Sequence, residues 1–250
     1  MALNHKRVST WGAWSGVIFT FGFLVAVSPW FGGNIPVTLS PMDSPETVKA
    51  YFVTNRNGIL WGAFIGMIAS AFWYVWGGAV AALLRRTENG RPPILFATQV
   101  AATGVAVFSC VFHFFWLAFC AYRADTMDPV LLRHLNDFMY IQLVFLVFPL
   151  SLWAITIGCA IMIDRSKTPV FPRWVAWANF WFAGLVLSGA GVIFSYDAPF
   201  PYSVWLTLYE PAFVFFFWII VMSFSMLKNI KHGYGVRPEM RTEANQDYYI

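Results

Sequence analysis

Glu210 and His113 are ionisable side chains inside long apolar segments of this sequence. Such groups are unfavourable in lipid and usually face the interior of a helix bundle. At a rise of about 1.5 Å per residue, Glu210 in the last apolar segment and His113 in the third both lie roughly 10 to 13 Å below the same surface. Glu210 is therefore a candidate general acid or base, with His113 assisting. The alternative is a structural acid whose hydrogen bonds fix helix packing.

Further polar residues lie at a similar depth. Asp137 stands just above the fourth apolar segment and is the third candidate catalytic group. The candidate ligand-binding residues open or close neighbouring segments; they are Tyr140, Gln142, Tyr196, Asp197 and Tyr209. If the helices turn these side chains toward one another, they form a polar pocket in the outer half of a membrane. Aromatic walls around that pocket would stabilise a cationic intermediate.

Two prolines predict kinks beside this pocket. Pro149 has no N–H to donate to the carbonyl of Phe145, and Pro211 has none for the carbonyl of Thr207. The carbonyls freed at these kinks are available as hydrogen-bond acceptors.

The histidines and cysteines predict neither a metal site nor a cofactor. Cys110, Cys120 and Cys159 lie in apolar segments and show no zinc-binding spacing. A bis-histidine haem needs two histidines inside the membrane, and His113 is the only histidine of the sequence within an apolar segment.

The elements that position these residues are membrane-spanning helices. The chain is 59% hydrophobic and 11% charged, against about 25% charged in soluble domains. Stretches long enough to cross a bilayer span residues 11–32, 58–84, 94–122, 138–163, 174–195 and 203–227. The sequence predicts an all-α, six-span bundle as one domain over residues 1–228. A flexible cytoplasmic tail is predicted over residues 229–250.

The basic residues predict the orientation of this bundle. With the N-terminus in the cytoplasm, twelve of the 16 Lys and Arg residues face inward and four face outward. Both termini are therefore predicted to be cytoplasmic. This distribution also explains the net charge of +4 without a nucleic-acid partner.

Two outer loops carry signals for short amphipathic helices. Ser44 and Asp128 are N-cap residues, and each is followed by a proline at the first helical position. These helices could roof the pocket, or they could act as interfacial anchors.

Small residues four apart predict close packing between helices. They are Gly12 and Gly16 in the first span, Gly62, Gly66 and Ser70 in the second, and Gly184 and Ser188 in the fifth. A homo-oligomer contact could use one of these faces. Gln99 and Asn179 could share an interhelical hydrogen bond worth about 1 kcal/mol.

Three strings carry a resemblance to a known group of proteins: PETVKAYFVTNRNGILWGAFIGMIASAFW (45–73), LLRHLNDFMY (131–140) and TPVFPRWVAWANFW (168–181). Through them the chain resembles a family of uncharacterised six-pass integral membrane proteins of actinobacteria and proteobacteria, over most of residues 40–228. The resemblance implies a compact six-helix bundle in the bacterial inner membrane, and it implies no particular activity.

Three functional hypotheses follow. The first is binding of a small lipophilic molecule in the outer-half pocket; its stronger form is an isomerase or cyclase with Glu210, His113 and Asp137 as acid and base groups. The second is a non-catalytic subunit or scaffold that docks on a larger membrane complex. The third is a transporter or channel, although the sequence shows neither an inverted repeat nor a selectivity-filter loop.

Overall fold

The computed structural model describes residues 5–31, 37–88, 92–165, 169–194, 196–197 and 200–232, and these residues contain helices but no strand. The α-helices are α1 (His5–Ala26), α2 (Pro45–Thr54), α3 (Arg56–Leu84), α4 (Ile94–Tyr122), α5 (Pro129–Val144), α6 (Val147–Ile163), α7 (Arg173–Leu185) and α8 (Glu210–His232). Short 3₁₀ helices span Pro29–Phe31, Arg85–Glu88 and Val186–Ile193, and a π-helix spans Trp205–Tyr209.

Six helical segments are long and apolar enough to cross a membrane. They are Arg7–Ala26, Arg56–Glu88, Ile94–Tyr122, Pro129–Ile163, Arg173–Ile193 and Trp205–Lys231. The predicted all-α, six-span architecture is confirmed. α1 ends at Ala26 rather than at residue 32, because the residue before Pro29 is disfavoured in the helical region. α8 runs to His232, and the rest of the predicted tail, residues 233–250, lies outside the described residues.

Large apolar side chains cover the outside of the bundle. Trp11, Phe64 and Trp181 are each more than half exposed. Exposure of such a surface to water is unfavourable, whereas contact with the acyl chains of a bilayer is favourable. Helices in a bilayer are accordingly apolar on every face. The chain is an integral membrane protein.

Small residues set the packing between the first two spans. A Cβ atom at Gly12 would lie 2.6 Å from Cβ of Ala79, and one at Gly22 would lie 2.8 Å from Cβ of Ala69. α1 and α3 therefore approach backbone to backbone, as the sequence predicts. Gly184 differs from its predicted role: it faces outward, and a Cβ there would meet nothing within 4 Å.

Two helices begin at the end of the bundle predicted to face outward. Ser44 caps α2 by accepting from the N–H of Thr47 at 3.2 Å, and Asp128 caps α5 by accepting from the N–H of Leu131 at 2.9 Å. α2 packs against α5 through a buried face that includes Phe52. We name this end of the molecule, defined by α2 and the first turns of α5, the capped end. α5 is longer than the predicted loop helix, because it continues into the bundle as the first part of the fourth span.

Buried aromatic rings fill the middle of the bundle. The indole of Trp218 stacks on Phe182 at 4.6 Å between ring centroids and meets Trp153 edge to face at 5.3 Å. The predicted bond between Gln99 and Asn179 is replaced by two others. The Trp153 N–H donates to Oε1 of Gln99, and the Trp218 N–H donates to Oδ1 of Asn179 at 2.9 Å. Buried indoles need an acceptor, and these two amides supply it.

Candidate functional site

Three spans in the second half of the chain have irregular backbone. The fourth breaks between Val144 and Val147, the fifth continues as the 3₁₀ helix Val186–Ile193, and the sixth begins with the π-helix Trp205–Tyr209. Runs of 3₁₀ helix beyond four residues are uncommon, and π-helical turns occur frequently at functional sites. Within a bilayer, such backbone is tolerated where it is buried in protein or lines a cavity.

Two of these irregularities lie beside the prolines that predicted kinks. At the end of α5, the Phe145 N–H donates to the Ile141 carbonyl at 2.8 Å. Pro149 has no N–H to donate to the Phe145 carbonyl. The first bond beyond the break, from the Leu150 N–H to the Leu146 carbonyl, is long at 3.3 Å. The π-helix directly precedes Glu210 and Pro211, whose ring withholds a donor from the Thr207 carbonyl.

Gly189 is the point where the three irregular segments meet. A Cβ atom there would lie 3.0 Å from Cγ1 of Val147, 3.1 Å from Cγ1 of Val144 and 3.3 Å from the Thr207 carbonyl oxygen. A glycine therefore permits this close approach of the fourth, fifth and sixth spans. Nearby, the Ser151 hydroxyl donates to the Ala183 carbonyl at 2.8 Å and satisfies an acceptor where α7 gives way to the 3₁₀ helix.

A cavity lies against this junction. It contains about 660 Å³ of empty space when its open mouth is counted, and the centres of water-sized spheres fit in about 80 Å³ of it. Its wall is mostly aliphatic and aromatic and is formed by Phe23, Trp73, Ala106, Ser109, Cys110, Leu143, Val144, Leu146, Val147, Leu150, Val186, Thr207, Leu208, Pro211, Ala212, Phe215 and Phe216. None of these described lining residues carries a formal charge.

The cavity is elongated along the bundle. Its deep end lies at Trp73, whose ring is 5.1 Å from that of Phe215. Thr207 precedes Phe215 by eight residues on the same span, so at a rise of about 1.5 Å per residue it lies roughly 12 Å nearer the capped end. The cavity thus runs from the π-helix to the aromatic core.

In the described structure, two unpartnered polar atoms belong to residues of the cavity wall, and a third belongs to a residue that supports the wall. Within the described part of the chain, Oγ1 of Thr207 and Nε1 of Trp73 are buried and have no hydrogen-bond partner. Nε2 of Gln142 donates to Oγ of the lining residue Ser109 at 2.7 Å, and Oε1 of Gln142 is buried without a partner in the same described part. Most buried polar atoms in proteins have partners. The wall therefore has hydrogen-bonding capacity that the described protein atoms leave unused.

The three candidate catalytic residues have separate partners. The Ser188 hydroxyl donates to Oε2 of Glu210, and the Tyr202 hydroxyl donates to Oδ1 of Asp137 at 2.8 Å. His113 is buried and forms one hydrogen bond with the backbone of Met139, while its Nδ1 has no partner among the described residues. Among the described residues, none of these three candidates lines the cavity.

The candidate ligand-binding residues do not form one site but lie in different parts of the molecule. Gln142 supports the cavity wall through Ser109. The Tyr209 hydroxyl accepts from the Val37 N–H at 2.8 Å at the capped end. Tyr196 is 71% exposed, and Asp197 beside it is also exposed, so neither reaches the cavity.

Tyr140 belongs to a polar group that we name the tyrosine cluster, defined by Asn136, Asp137, Tyr140 and Tyr202. The rings of Tyr140 and Tyr202 stack at 4.5 Å. The Tyr202 hydroxyl accepts from Nδ2 of Asn136 at 2.9 Å while donating to Asp137. Burial and the neighbouring carboxylate of Asp137 raise the pKa of Tyr202 well above its usual value, so it stays a neutral donor. The cluster closes the bundle below α2.

Sequence reasoning missed the cavity residues Thr207 and Trp73. Pro211 drew attention to the Thr207 carbonyl but not to its hydroxyl, and an indole in an apolar helix resembles any core tryptophan. The aliphatic lining residues carry no sequence signal, because core and cavity-lining positions have the same composition. Comparisons with protein families, with curated proteins and with solved structures find no match to this chain.

Proposed function

We propose that this integral membrane protein binds a small, uncharged lipophilic molecule in the cavity between its irregular spans. The observation that carries the proposal is the apolar cavity at the junction of three interrupted helices, which residues of the first three spans also line. The centres of water-sized spheres fit in about 80 Å³ of it, against roughly 10 to 15 Å³ for one water molecule, so the cavity has room for a small ligand group. Irregular backbone is tolerated inside a bilayer where it is buried in protein or lines a cavity, and a cavity that binds a ligand meets this condition.

Binding without acid–base catalysis is the form of this function that the geometry supports best. Glu210 and Asp137 each accept a hydrogen bond from a neighbouring side chain, and His113 bonds to the backbone. A general acid or base must come within hydrogen-bond reach of the reacting group, and the described lining residues include none of the three. These bonds favour a structural role for Glu210 and Asp137, and His113 is not among the described residues that line the cavity.

The proposal includes a location. We place the protein in a bacterial inner membrane with both termini in the cytoplasm. The excess of Lys and Arg on one side of the spans supports the orientation. The sequence resemblance to bacterial six-pass proteins supports the choice of membrane.

Photolabelling of a cavity-filled variant tests the proposal. The probe is a twelve-carbon hydrocarbon carrying a diazirine, and labelled peptides are mapped by mass spectrometry. We expect labelling of segments 143–150 and 207–216 in the native protein and loss of most of it in Ala106→Phe, because Ala106 lines the cavity. Ala101→Phe is the matched control, since Ala101 lies on the same helix and faces outward. Size-exclusion profiles establish that each variant is folded.

Two outcomes would count against ligand binding. Equal labelling of the cavity segments in both variants would place the probe on the outer surface. A native mass spectrum without any bound apolar compound, together with absent cavity labelling, would favour the alternative of a non-catalytic subunit or scaffold.

A carrier for the same kind of molecule is a second candidate. Interrupted helices around a site within the bilayer are also the architecture of secondary transporters. In this chain the irregular segments around the cavity lie in the fourth to sixth spans, and the described part of the first three has 3₁₀ turns only at span ends, at Pro29–Phe31 and Arg85–Glu88. Transfer of a fluorescent fatty alcohol across proteoliposome membranes, faster with the native protein than with Ala106→Phe, would distinguish a carrier from a binding protein.

A further inference from the structure

We infer that the hydroxyl of Thr207 is the polar recognition group of the cavity, and that the ligand carries one uncharged hydroxyl or carbonyl group bound at that end. This inference rests on the proposed function. Thr207 is fully buried, it lines the cavity, and its Oγ1 has no partner among the described residues.

Other helical hydroxyls in this chain show what Thr207 lacks. Ser70, Thr103, Thr156 and Ser225 each donate to the carbonyl four residues earlier, at 2.7 to 2.9 Å. This back-bond is the usual way for a serine or threonine to satisfy its hydroxyl inside a helix. Thr207 lies in the first turn of the sixth span, and the carbonyl four residues earlier belongs to Ser203, before the extended N-cap Val204, so no helical carbonyl occupies the position of a back-bond. Its hydroxyl is therefore left without an acceptor in its own helix.

Thr20 provides an internal comparison. Its Oγ1 is also buried without a partner in the described structure, yet Thr20 does not line the cavity. An unpartnered hydroxyl alone therefore does not indicate a ligand. The combination at Thr207 of an unpartnered hydroxyl, a cavity wall and a π-helical backbone is what points to one.

The wall determines the chemical class of this ligand. A threonine hydroxyl both donates and accepts, so it can bind an alcohol or a carbonyl oxygen. A carboxylate or an ammonium group would need an opposite charge, and the described lining residues include no charged side chain. Trp73 is donor-only and packs between Phe19 and Phe215 at the deep end. The remaining apolar wall fits the hydrocarbon part of an isoprenoid, steroid-like or fatty alcohol or ketone.

A pair of matched probes tests this inference. The first probe is a twelve-carbon primary alcohol with a diazirine in the chain, and the second is the same molecule without its hydroxyl group. One added hydrogen bond corresponds to roughly a three- to tenfold preference, so we expect the alcohol to label the cavity segments of the native protein that much more efficiently. In Thr207→Val, which keeps the shape but loses the hydroxyl, the two probes should label equally.

Two further variants control the experiment. Thr207→Ser retains a hydroxyl and should retain the preference for the alcohol. Thr20→Val removes a comparable buried hydroxyl away from the cavity and should behave as the native protein does. The twelve-carbon carboxylate with the same diazirine should label the cavity segments less than the alcohol does.

The outcomes separate this inference from the proposed function. If both probes label the cavity segments and Thr207→Val keeps the preference for the alcohol, the role of Thr207 is wrong while lipophile binding stands. Loss of that preference in Trp73→Phe instead would place the polar contact at the deep end and also overturn the inference. If neither probe labels the cavity segments of the native protein, the proposed function itself fails.

Discussion

Adjacent glycines in the second span show how strongly a single residue depends on its face of the helix. A Cβ atom at Gly77 would overlap the side chain of Thr103 on α4, whereas one at Gly78 would meet nothing within 4 Å. Without a hydrophobic drive between helices in lipid, close approach at small residues supplies much of the packing energy. Gly77 is therefore a contact between spans, and Gly78 is a surface position.

We expect Gly77→Ala to lower the free energy of unfolding by about 1 to 3 kcal/mol, because the added methyl group overpacks the α3–α4 contact. Gly78→Ala is the matched control and should leave stability unchanged or raise it by up to about 1 kcal/mol through helix propensity. Thermal unfolding of both variants in the same detergent measures the difference. Equal stabilities would show that the contact between Gly77 and Thr103 is loose.

At the scale of elements, the break in the fourth span forms part of the cavity wall. Val144 and Val147 flank the break, and both line the cavity and approach Gly189. Pro149 was recognisable in the sequence as a source of a kink, because its ring removes one intrahelical hydrogen bond. The 3₁₀ helix Val186–Ile193 had no comparable signal: its sequence, VLSGAGVI, is as apolar as that of a regular span.

We expect Pro149→Ala to restore an N–H that donates to the Phe145 carbonyl and to regularise the span. Amide hydrogen exchange of residues 145–149, followed by mass spectrometry, should become slower, and hydrocarbon-probe labelling of the cavity should decrease. Pro129→Ala is the control, because Pro129 occupies the first turn of α5, where an N–H has no intrahelical acceptor. Unchanged exchange at residues 145–149 in Pro149→Ala would mean that tertiary contacts hold the break open.

At the scale of the whole molecule, the even number of spans puts both ends of the described chain on one side. The capped end, with α2 and the start of α5, lies on the other side. Because Lys and Arg residues favour the cytoplasmic side, we expect the capped end to face the exterior.

Labelling with a membrane-impermeant maleimide measures this arrangement. In a background in which Cys110, Cys120 and Cys159 are replaced by alanine, we expect Thr47→Cys and Asp125→Cys to react in intact cells. Arg86→Cys and Lys231→Cys should react only after the membrane is permeabilised. All four sites are exposed in the structure, so burial does not explain a lack of reaction. Reaction of Arg86→Cys and Thr47→Cys from the same side would contradict the six-span topology.

The sequence by itself determined the class of fold, the number of spans and the two caps at Ser44 and Asp128. These features follow from local properties: about 20 apolar residues cross a bilayer, and a capping side chain bonds within its own first turn. Depth along a regular α-helix could also be estimated from the sequence, because such a helix rises by about 1.5 Å per residue.

Only the tertiary structure decided which residues share a site. Glu210 and His113 were predicted at similar depth, yet Glu210 accepts from Ser188 while His113 bonds to the Met139 backbone. Depth gives one coordinate, whereas contact also needs the rotation and order of the helices, and apolar faces that pack against lipid or protein alike leave both undetermined. The close approach at Gly189 and the unpartnered Thr207 hydroxyl arise from three spans meeting. The sequence of any one of those spans does not predict the contact among all three.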